Sequence, residues 1–290
     1  MNDYVIISDS TMDMPNEFVL ENNIEVIPMD FILDGKEYKN YLDYREIDFK
    51  DFYDQLRKGA RCSTSQISIQ TTIGTYEKYL RDGKDILGIV FSSGLSGSFN
   101  SVRLACSELK EKYPDRKIML IDSKCASSGE GLLVWYANEF KKSGLSLLDC
   151  YNKTKELVNK LCHWFTVDDI DTLRRGGRVS GGAAFAAKTL NIKPVLHVDD
   201  DGHLIPIYKK IGRKSAIRAI VNSYEKLRDT NIKQMIIISH GDCEEDAKYL
   251  ESEIKKITPD ASFMISKIGP VIGAHSGPGT LALFFIGTKR

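Results

Sequence analysis

The sequence predicts an α/β protein of two domains, with a parallel sheet in the first domain and a mixed sheet in the second. Short apolar runs alternate with stretches of helical spacing, which is typical of parallel strands joined by right-handed crossovers. Beyond Trp164 this alternation is interrupted by a basic loop and a β-hairpin pattern. The 290 residues suffice for two domains of ordinary size. We therefore expect an N-terminal domain at residues 1–165 and a C-terminal domain at 166–290.

The predicted first domain begins with an apolar strand, and Pro15 after it suits the first turn of a helix. Asp34 and Gly35 indicate a turn after the second strand. Helical spacing of apolar residues and the Gly/Ser-rich breaks between runs define the remaining elements. The predicted strands are 4–8, 24–33, 86–91 and 117–121, and the predicted helices are 44–58, about 67–81, 98–112, 131–142 and 146–162.

The predicted second domain opens with a basic, glycine-containing loop at 171–178 and a small apolar helix at 183–190. Two β-rich runs at 193–198 and 203–210 flank an Asp-Asp-Asp-Gly turn and predict a β-hairpin. The pattern then predicts helices at 215–228 and 244–256 and strands at 234–239 and 262–268. A Gly/Pro-rich segment at 269–279 and an apolar run at 281–286 end the chain.

Composition excludes several classes of function. Lys and Arg number 40 against 40 for Asp and Glu, so the basic excess of a general nucleic-acid binder is absent. The six cysteines form no CxxC pair, and neither a metal site nor a cofactor motif is evident. No signal peptide or membrane span is recognisable. We expect a cytoplasmic protein with reduced thiols.

The segment Ser92-Ser93-Gly94-Leu95-Ser96-Gly97-Ser98 follows a predicted strand and precedes a predicted helix. A helix N-terminus offers unpaired N–H groups and partial positive charge, which suits a small anion. Four serines and two glycines exceed the single hydroxyl that a cap needs. The segment therefore predicts an anion site, and the alternative is a Gly/Ser-rich turn with one capping serine.

A second interpretation starts from the similarity of residues 94–98 to the nucleophile elbow G-x-S-x-G, whose last glycine is replaced here by Ser98. Ser96 would then be the nucleophile of a serine hydrolase for acyl esters, with His275 as base and Asp242 in the matching chain order. A sugar- or nucleotide-binding α/β module is a third possibility, because ligands generally bind beyond the strand ends of open α/β sheets.

Three further groups of residues are candidates. Thr64 belongs to a Thr-Ser-Gln segment before a helix, where the alternative role is an N-cap. His275 lies in the Gly/Pro-rich segment and could donate a hydrogen bond to an anion. Two basic clusters could dock an acidic surface or phosphate, the alternative being solvated faces. They comprise Arg174, Arg175 and Arg178, and Lys209, Lys210, Arg213 and Lys214.

Six segments in order resemble the DegV family, the fatty-acid-binding subunits that serve a bacterial fatty acid kinase. They are S-D-S-T-M-D-M-P at 8–15, T-S-Q at 64–66, S-S-G-L-S-G at 92–97, D-S-K at 122–124, L-R-R-G-G-R at 173–178 and G-P-V-I-G-A-H at 269–275. The resemblance spans nearly the whole chain and implies a long-chain fatty acid buried between the two domains. One departure is Ile67, where proline is frequent in relatives.

The resemblance also implies roles for particular residues. Thr64 and Ser96 correspond to the family's carboxylate-binding residues, His275 to a nearby polar contact, and Ser93 is a second candidate in the same loop. The family implies a carrier without catalytic activity of its own, which presents the carboxyl group to a separate kinase subunit for acyl phosphate formation in phospholipid metabolism. We expect Arg174, Arg175 and Arg178 to contact the kinase or the phosphoryl group, since no acidic partners are evident nearby in sequence.

Overall fold

The computed structural model describes residues 3–179 and 191–290, and their strands form three sheets. The elements up to residue 122 are β1 (Tyr4–Asp9), α1 (Asn16–Glu21), β2 (Glu25–Ile27), β3 (Met29–Leu33), β4 (Lys36–Asn40), α2 (Phe49–Arg57), β5 (Cys62–Thr64), α3 (Ile69–Arg81), β6 (Asp85–Val90), α4 (Ser98–Lys112) and β7 (Ile118–Asp122). Those that follow are α5 (Ser128–Lys142), α6 (Leu147–Val158), β8 (Leu161–Thr166), α7 (Ile170–Arg175), β9 (Ile192–Val198), β10 (Leu204–Ile211), α8 (Arg213–Leu227), β11 (Met235–His240), α9 (Glu244–Ile257), β12 (Ser262–Lys267), α10 (Pro270–Ser276) and β13 (Leu281–Ile286).

The first sheet is parallel, in the order β2-β1-β6-β7. Strands β1 and β6 are buried along their whole length, which explains why they are apolar runs without alternation. Helices α3 and α4 pack on one another beside this sheet, whereas α5 contacts strands of both large sheets. The parallel N-terminal sheet expected from the sequence is thus confirmed, and α5 is the layer that both halves share.

The second sheet is mixed, as expected, in the order β10-β9-β8-β13-β11-β12. Only β11 and β12 run parallel, and the other neighbouring pairs are antiparallel. The expected helix at 146–162 is too long, because α6 ends at Val158 and β8 follows. The aromatic and thiol side chains of β8 are buried on both faces, a position that suits them better than a helix end. The expected domain boundary after residue 165 falls inside this strand.

The third sheet is a small antiparallel one, in the order β4-β3-β5. The single strand expected at 24–33 is wrong: Pro28 separates β2, which pairs with β1, from β3. Proline lacks an N–H to donate to a ladder, so the chain leaves the first sheet here. The turn at Asp34 and Gly35 is confirmed, with both residues at positive φ (47° and 83°). This sheet brings Thr64, at the end of β5, toward the second half of the molecule.

The two halves are joined by buried polar contacts, which we call the polar seam: Asp13 with Gly269, and Ser128 with Ser239 and Ser266. The Gly269 N–H donates to Asp13 Oδ1 at 2.9 Å, which ties the start of α10 to the segment that follows β1. The hydroxyls of Ser128, Ser239 and Ser266 form a buried triangle with 2.7–2.9 Å between oxygens. Since buried hydroxyls are costly unless paired, this triangle specifies how α5 sits on β11 and β12.

Two expectations concern the region around the hairpin. Strands β9 and β10 form the expected β-hairpin, whereas the small helix expected at 183–190 lies outside the described residues. Among the described residues, no helix combines the length and apolar character that crossing a membrane requires.

Candidate functional site

A cavity of about 250 Å³ lies between the two halves, and its wall takes residues from both. Most of the wall is apolar, and several of its polar side chains lie where β5, the loop before α4, and α10 meet. The apolar wall includes Phe91, Leu95, Phe165, Leu173, Leu204 and Val271. The polar side chains discussed below are Thr64, Gln66, Ser96, Arg178 and His275. An apolar slot with polar groups at one place suits an amphiphilic ligand.

The loop from 91 to 97 places Ser96 at the cavity. It follows β6 and precedes α4, so the expected order of strand, loop and helix is confirmed. Ser96 Oγ accepts from the Ser98 N–H at 3.1 Å and lies 2.9 Å from Ser98 Oγ. Ser92 is buried and donates to the Gly202 carbonyl at 3.0 Å, so the loop is tied to the turn of the β9–β10 hairpin. These contacts hold Ser96 in a defined position.

Thr64 and His275 form the second polar pair of the cavity, with 2.8 Å between Thr64 Oγ1 and His275 Nε2. His275 was expected in a loop, but Pro270–Ser276 is helix α10; proline at the first helical positions favours a helix start. Burial, and to a smaller extent the nearby Arg178, lower the pKa of His275 to about 4. The imidazole is therefore neutral at pH 7 and carries one N–H.

Hydrogen bonds join the Thr-Ser-Gln segment to helix α4. The Ile67 N–H donates to Ser98 Oγ at 3.1 Å, and Gln66 Nε2 donates to Ser101 Oγ at the same distance. A proline at position 67 would have no N–H and could not form the first bond. Ile67 is 4% exposed, so its side chain also packs in the core. Ile67 therefore adds a contact between the Thr-Ser-Gln segment and the start of α4.

Ser93 does not belong to this cluster. It is exposed and is not among the residues that line the cavity. Its N–H donates to Asp122 Oδ1 at 3.1 Å, and Lys124 Nζ lies 3.4 Å from its Oγ. These contacts hold Ser93 against the end of β7, on the outside of the loop whose inner side presents Ser96.

The three arginines at 174–178 have different surroundings. Residues 170–175 form helix α7 rather than a loop, and Arg174 pairs with Asp171 one turn earlier at 2.6 Å, so the expected lack of acidic partners is wrong. Arg175 is exposed and donates to Thr172 Oγ1 at 3.2 Å. Arg178, beyond the helix, lines the cavity. Of these three arginines, Arg178 is the one that contributes charge near the polar cluster.

Gly176 explains how α7 comes so close to α10. A Cβ on this residue would lie 2.5 Å from His275 Nδ1, so any side chain would displace the imidazole. The glycine is needed here for close approach rather than for an unusual backbone angle, since its φ is −75°.

The comparisons with known proteins agree with the resemblance seen in the sequence. The family model described as "Uncharacterised protein, DegV family" matches residues 3–288. A DegV domain-containing protein of Clostridium perfringens is 42% identical over 290 residues, which cover 100% of this chain and 99% of the relative. The chain belongs to the DegV family.

Solved DegV structures share the fold. A DegV lipid binding protein from Thermotoga maritima has a TM-score of 0.87 and 29% identity, with 99% of each chain covered. DegV of Bacillus subtilis, described as a fatty acid binding protein, has a TM-score of 0.86 and 29% identity, with 99% of this chain and 100% of that chain covered. The family membership and the fold class expected from the sequence are confirmed.

The DegV chain does not assemble a hydrolase triad. Ser96 Oγ is paired with Ser98, and His275 Nε2 with Thr64. Asp242, the expected acid, is paired with Arg57. A nucleophile needs its base within hydrogen-bonding reach, and the base needs an orienting group. The serine hydrolase alternative is therefore not supported.

Sequence reasoning missed two features of the DegV cavity. Ser98 was noted only as a mismatch to the nucleophile elbow, although it is fully buried and touches Ser96. His163, on β8, was not among the candidate residues, yet it lines the cavity. Burial lowers the pKa of His163 well below its usual value. His163 and Phe165 lie on the same face of β8, and this spacing of two residues is typical of a strand. The helix expected at 146–162 obscured that signal.

Proposed function

We propose that this DegV protein binds one long-chain fatty acid, with the carboxylate at Thr64 and Ser96 and the acyl chain along the apolar wall. The observation that supports this most is the convergence of two hydroxyls from separate segments on one cavity. Relatives described as lipid-binding and fatty acid-binding proteins support the ligand class.

The chemistry of the cavity fits an anionic head group without a full ion pair. Thr64 and Ser96 are neutral donors, and the neutral His275 can orient Thr64 through the 2.8 Å contact. If the His275 Nε2–H donates to Thr64 Oγ1, the threonine hydroxyl hydrogen is available to the carboxylate. Arg178 supplies positive charge in the same cavity. We propose Arg178 as part of the head-group environment.

The acyl chain supplies most of the binding free energy in this proposal. Each buried methylene contributes ~0.8 kcal/mol, so a sixteen-carbon chain gains on the order of 10 kcal/mol before ordering and association costs are subtracted. The contacts at the head group then serve mainly to select and orient the carboxylate.

The protein would act as a carrier without catalysis of its own. In the reaction that the family implies, a separate kinase subunit transfers a phosphoryl group from its nucleotide to a carboxylate oxygen, forming the acyl phosphate and releasing the nucleoside diphosphate. The exposed Arg174 and Arg175 on α7, close in sequence to Arg178, are our candidates for docking that subunit. The cytoplasmic location expected from the sequence stays a prediction.

Replacement of either hydroxyl tests the proposal. We expect Thr64→Ala and Ser96→Ala each to weaken the binding of hexadecanoate by roughly 1–3 kcal/mol, because a buried acceptor loses its donor. Isothermal titration calorimetry on delipidated protein measures the change. Mass spectrometry of gently purified wild type should detect a non-covalent ligand of fatty acid mass.

Ser93→Ala is the matched control, since this serine lies in the same loop but outside the cavity. Its affinity for hexadecanoate should equal that of the wild type. Unchanged affinity in both Thr64→Ala and Ser96→Ala would mean that the head group is bound elsewhere. A wild type that neither retains nor binds fatty acid would contradict the carrier function.

A further inference from the structure

Ser98 belongs to the motif around Ser96, but the proposed function assigns it no task. It is fully buried at the first position of α4, behind Ser96 as seen from the cavity. Its hydroxyl lies between two partners: the Ile67 N–H donates to it at 3.1 Å, and Ser96 Oγ lies 2.9 Å away. The direction of the second bond decides what Ser96 can offer to a ligand.

A count of donors and acceptors gives that direction. A hydroxyl has one hydrogen and two lone pairs. If Ser96 donated to Ser98, the Ser98 hydrogen would need another acceptor, and the described residues provide no other contact to this oxygen. A buried donor without an acceptor costs about 1–3 kcal/mol. Donation from Ser98 to Ser96 avoids that cost and is the favoured arrangement.

This direction of donation determines which hydrogen bonds Ser96 can still form. Its oxygen already accepts the Ser98 N–H at 3.1 Å, and the Ser98 hydroxyl occupies its second lone pair. The hydrogen of Ser96 is then the one group it has left to offer, and Ser96 lines the cavity. We infer that Ser98 is a positioning residue that makes Ser96 a donor only, so that Ser96 favours head groups that accept a hydrogen bond over those that must donate one.

This inference rests on the proposed function, because it concerns the head group of the same ligand. It adds a rule of selection: a carboxylate, which only accepts, fits Ser96, whereas the NH₂ group of a primary fatty amide finds no acceptor there. Removal of the Ser98 hydroxyl frees one lone pair on Ser96 and lets it accept from an amide. The ratio of the amide to the carboxylate dissociation constant should therefore change, and not only the affinity for each ligand.

The experiment compares hexadecanoate with hexadecanamide by calorimetry. In Ser98→Ala, we expect the ratio of the amide to the carboxylate dissociation constant to fall about tenfold relative to wild type, the equivalent of one hydrogen bond. Ser98→Thr keeps the hydroxyl and should retain the wild-type ratio within about threefold. Ser107→Ala, an exposed serine of the same helix whose hydroxyl donates to the Arg103 carbonyl, is the matched control and should leave both affinities unchanged.

An unchanged ratio in Ser98→Ala overturns the inference, whether both ligands keep their wild-type affinity or both are weakened equally; equal weakening indicates a packing role. If Ser98→Ala does not fold, Ser98→Cys replaces it, because a thiol is a weak donor of similar shape and should also lower the ratio. Failure of the proposed function has a different signature, since the wild type would then bind neither ligand.

Discussion

The donor end of the cavity (Thr64, Ser96 and Ser98) and the α7 segment (residues 170–178) border the same cavity but differ in charge. The donor end is uncharged, and its hydroxyls are bonded to one another, to backbone N–H groups or to a neutral imidazole. The α7 segment presents three arginines, of which Arg174 and Arg175 are exposed. A buried charge needs a partner, whereas hydroxyls can be satisfied with or without an anion. Under the proposed function, selection of the ligand and contact with a partner would use separate groups.

Arg178 is the residue that could break this division, because it belongs to the α7 segment yet lines the cavity. We expect Arg178→Gln to weaken hexadecanoate binding about tenfold, since a charge-assisted contact to a carboxylate is worth more than a neutral one. The pKa of His275 should rise in the variant, because Arg178 lowers it. Titration calorimetry at low and high salt and NMR titration of His275 measure both effects. Wild-type affinity with an unshifted His275 would place Arg178 outside the head-group environment.

Asp13, in the polar seam, supplies a test of how stability depends on pH. Asp13 accepts from Ser127 Oγ at 2.6 Å and from the Gly269 N–H at 2.9 Å, where the helix with His275 begins. Burial raises the pKa of Asp13 to about 8, although both hydrogen bonds act to lower it. The folded state therefore holds a proton that the unfolded chain releases near pH 4, and stability falls as pH rises from 4 through 8.

We expect Asp13→Asn to flatten that dependence, since asparagine does not titrate. Between pH 6 and pH 9 the thermal midpoint of the wild type should fall more than that of the variant, by roughly 2–4 °C for each kcal/mol. Differential scanning calorimetry measures the two slopes. Asp115→Asn, at an exposed turn, is the control and should keep the wild-type slope. Equal slopes for wild type and Asp13→Asn would show that this carboxyl does not bind the extra proton.

The smallest effect on affinity is expected for the exposed part of the α7 segment. Arg174→Ala and Arg175→Ala should leave hexadecanoate binding within about twofold, because surface ion pairs and exposed arginines contribute little there. The rate of acyl phosphate formation with the kinase subunit should fall. Lys248→Ala is a matched control, since this lysine is also exposed and paired within its helix. Loss of fatty acid affinity in the arginine variants would contradict the separation of the two regions.

The sequence by itself determined the class of fold and most of its elements. The apolar runs of β1 and β6, the helix starting at Ser98 and the turn at Asp34 and Gly35 follow from local periodicity and turn chemistry. The two segments with Thr64 and Ser96 were also recognisable, because hydroxyls at strand and helix ends are a local pattern. Such features depend on neighbours along the chain, which the sequence contains.

The tertiary structure alone decided which hydroxyls face the cavity and what each one bonds to. Ser93 and Ser96 belong to one motif, yet only Ser96 lines the cavity, because the contact of Ser93 with Asp122 turns it outward. The pairing of Ser98 with Ile67 joins residues far apart in the chain. Hydrogen-bond direction and burial depend on such long-range contacts, and a pattern of single residues along the chain does not specify them.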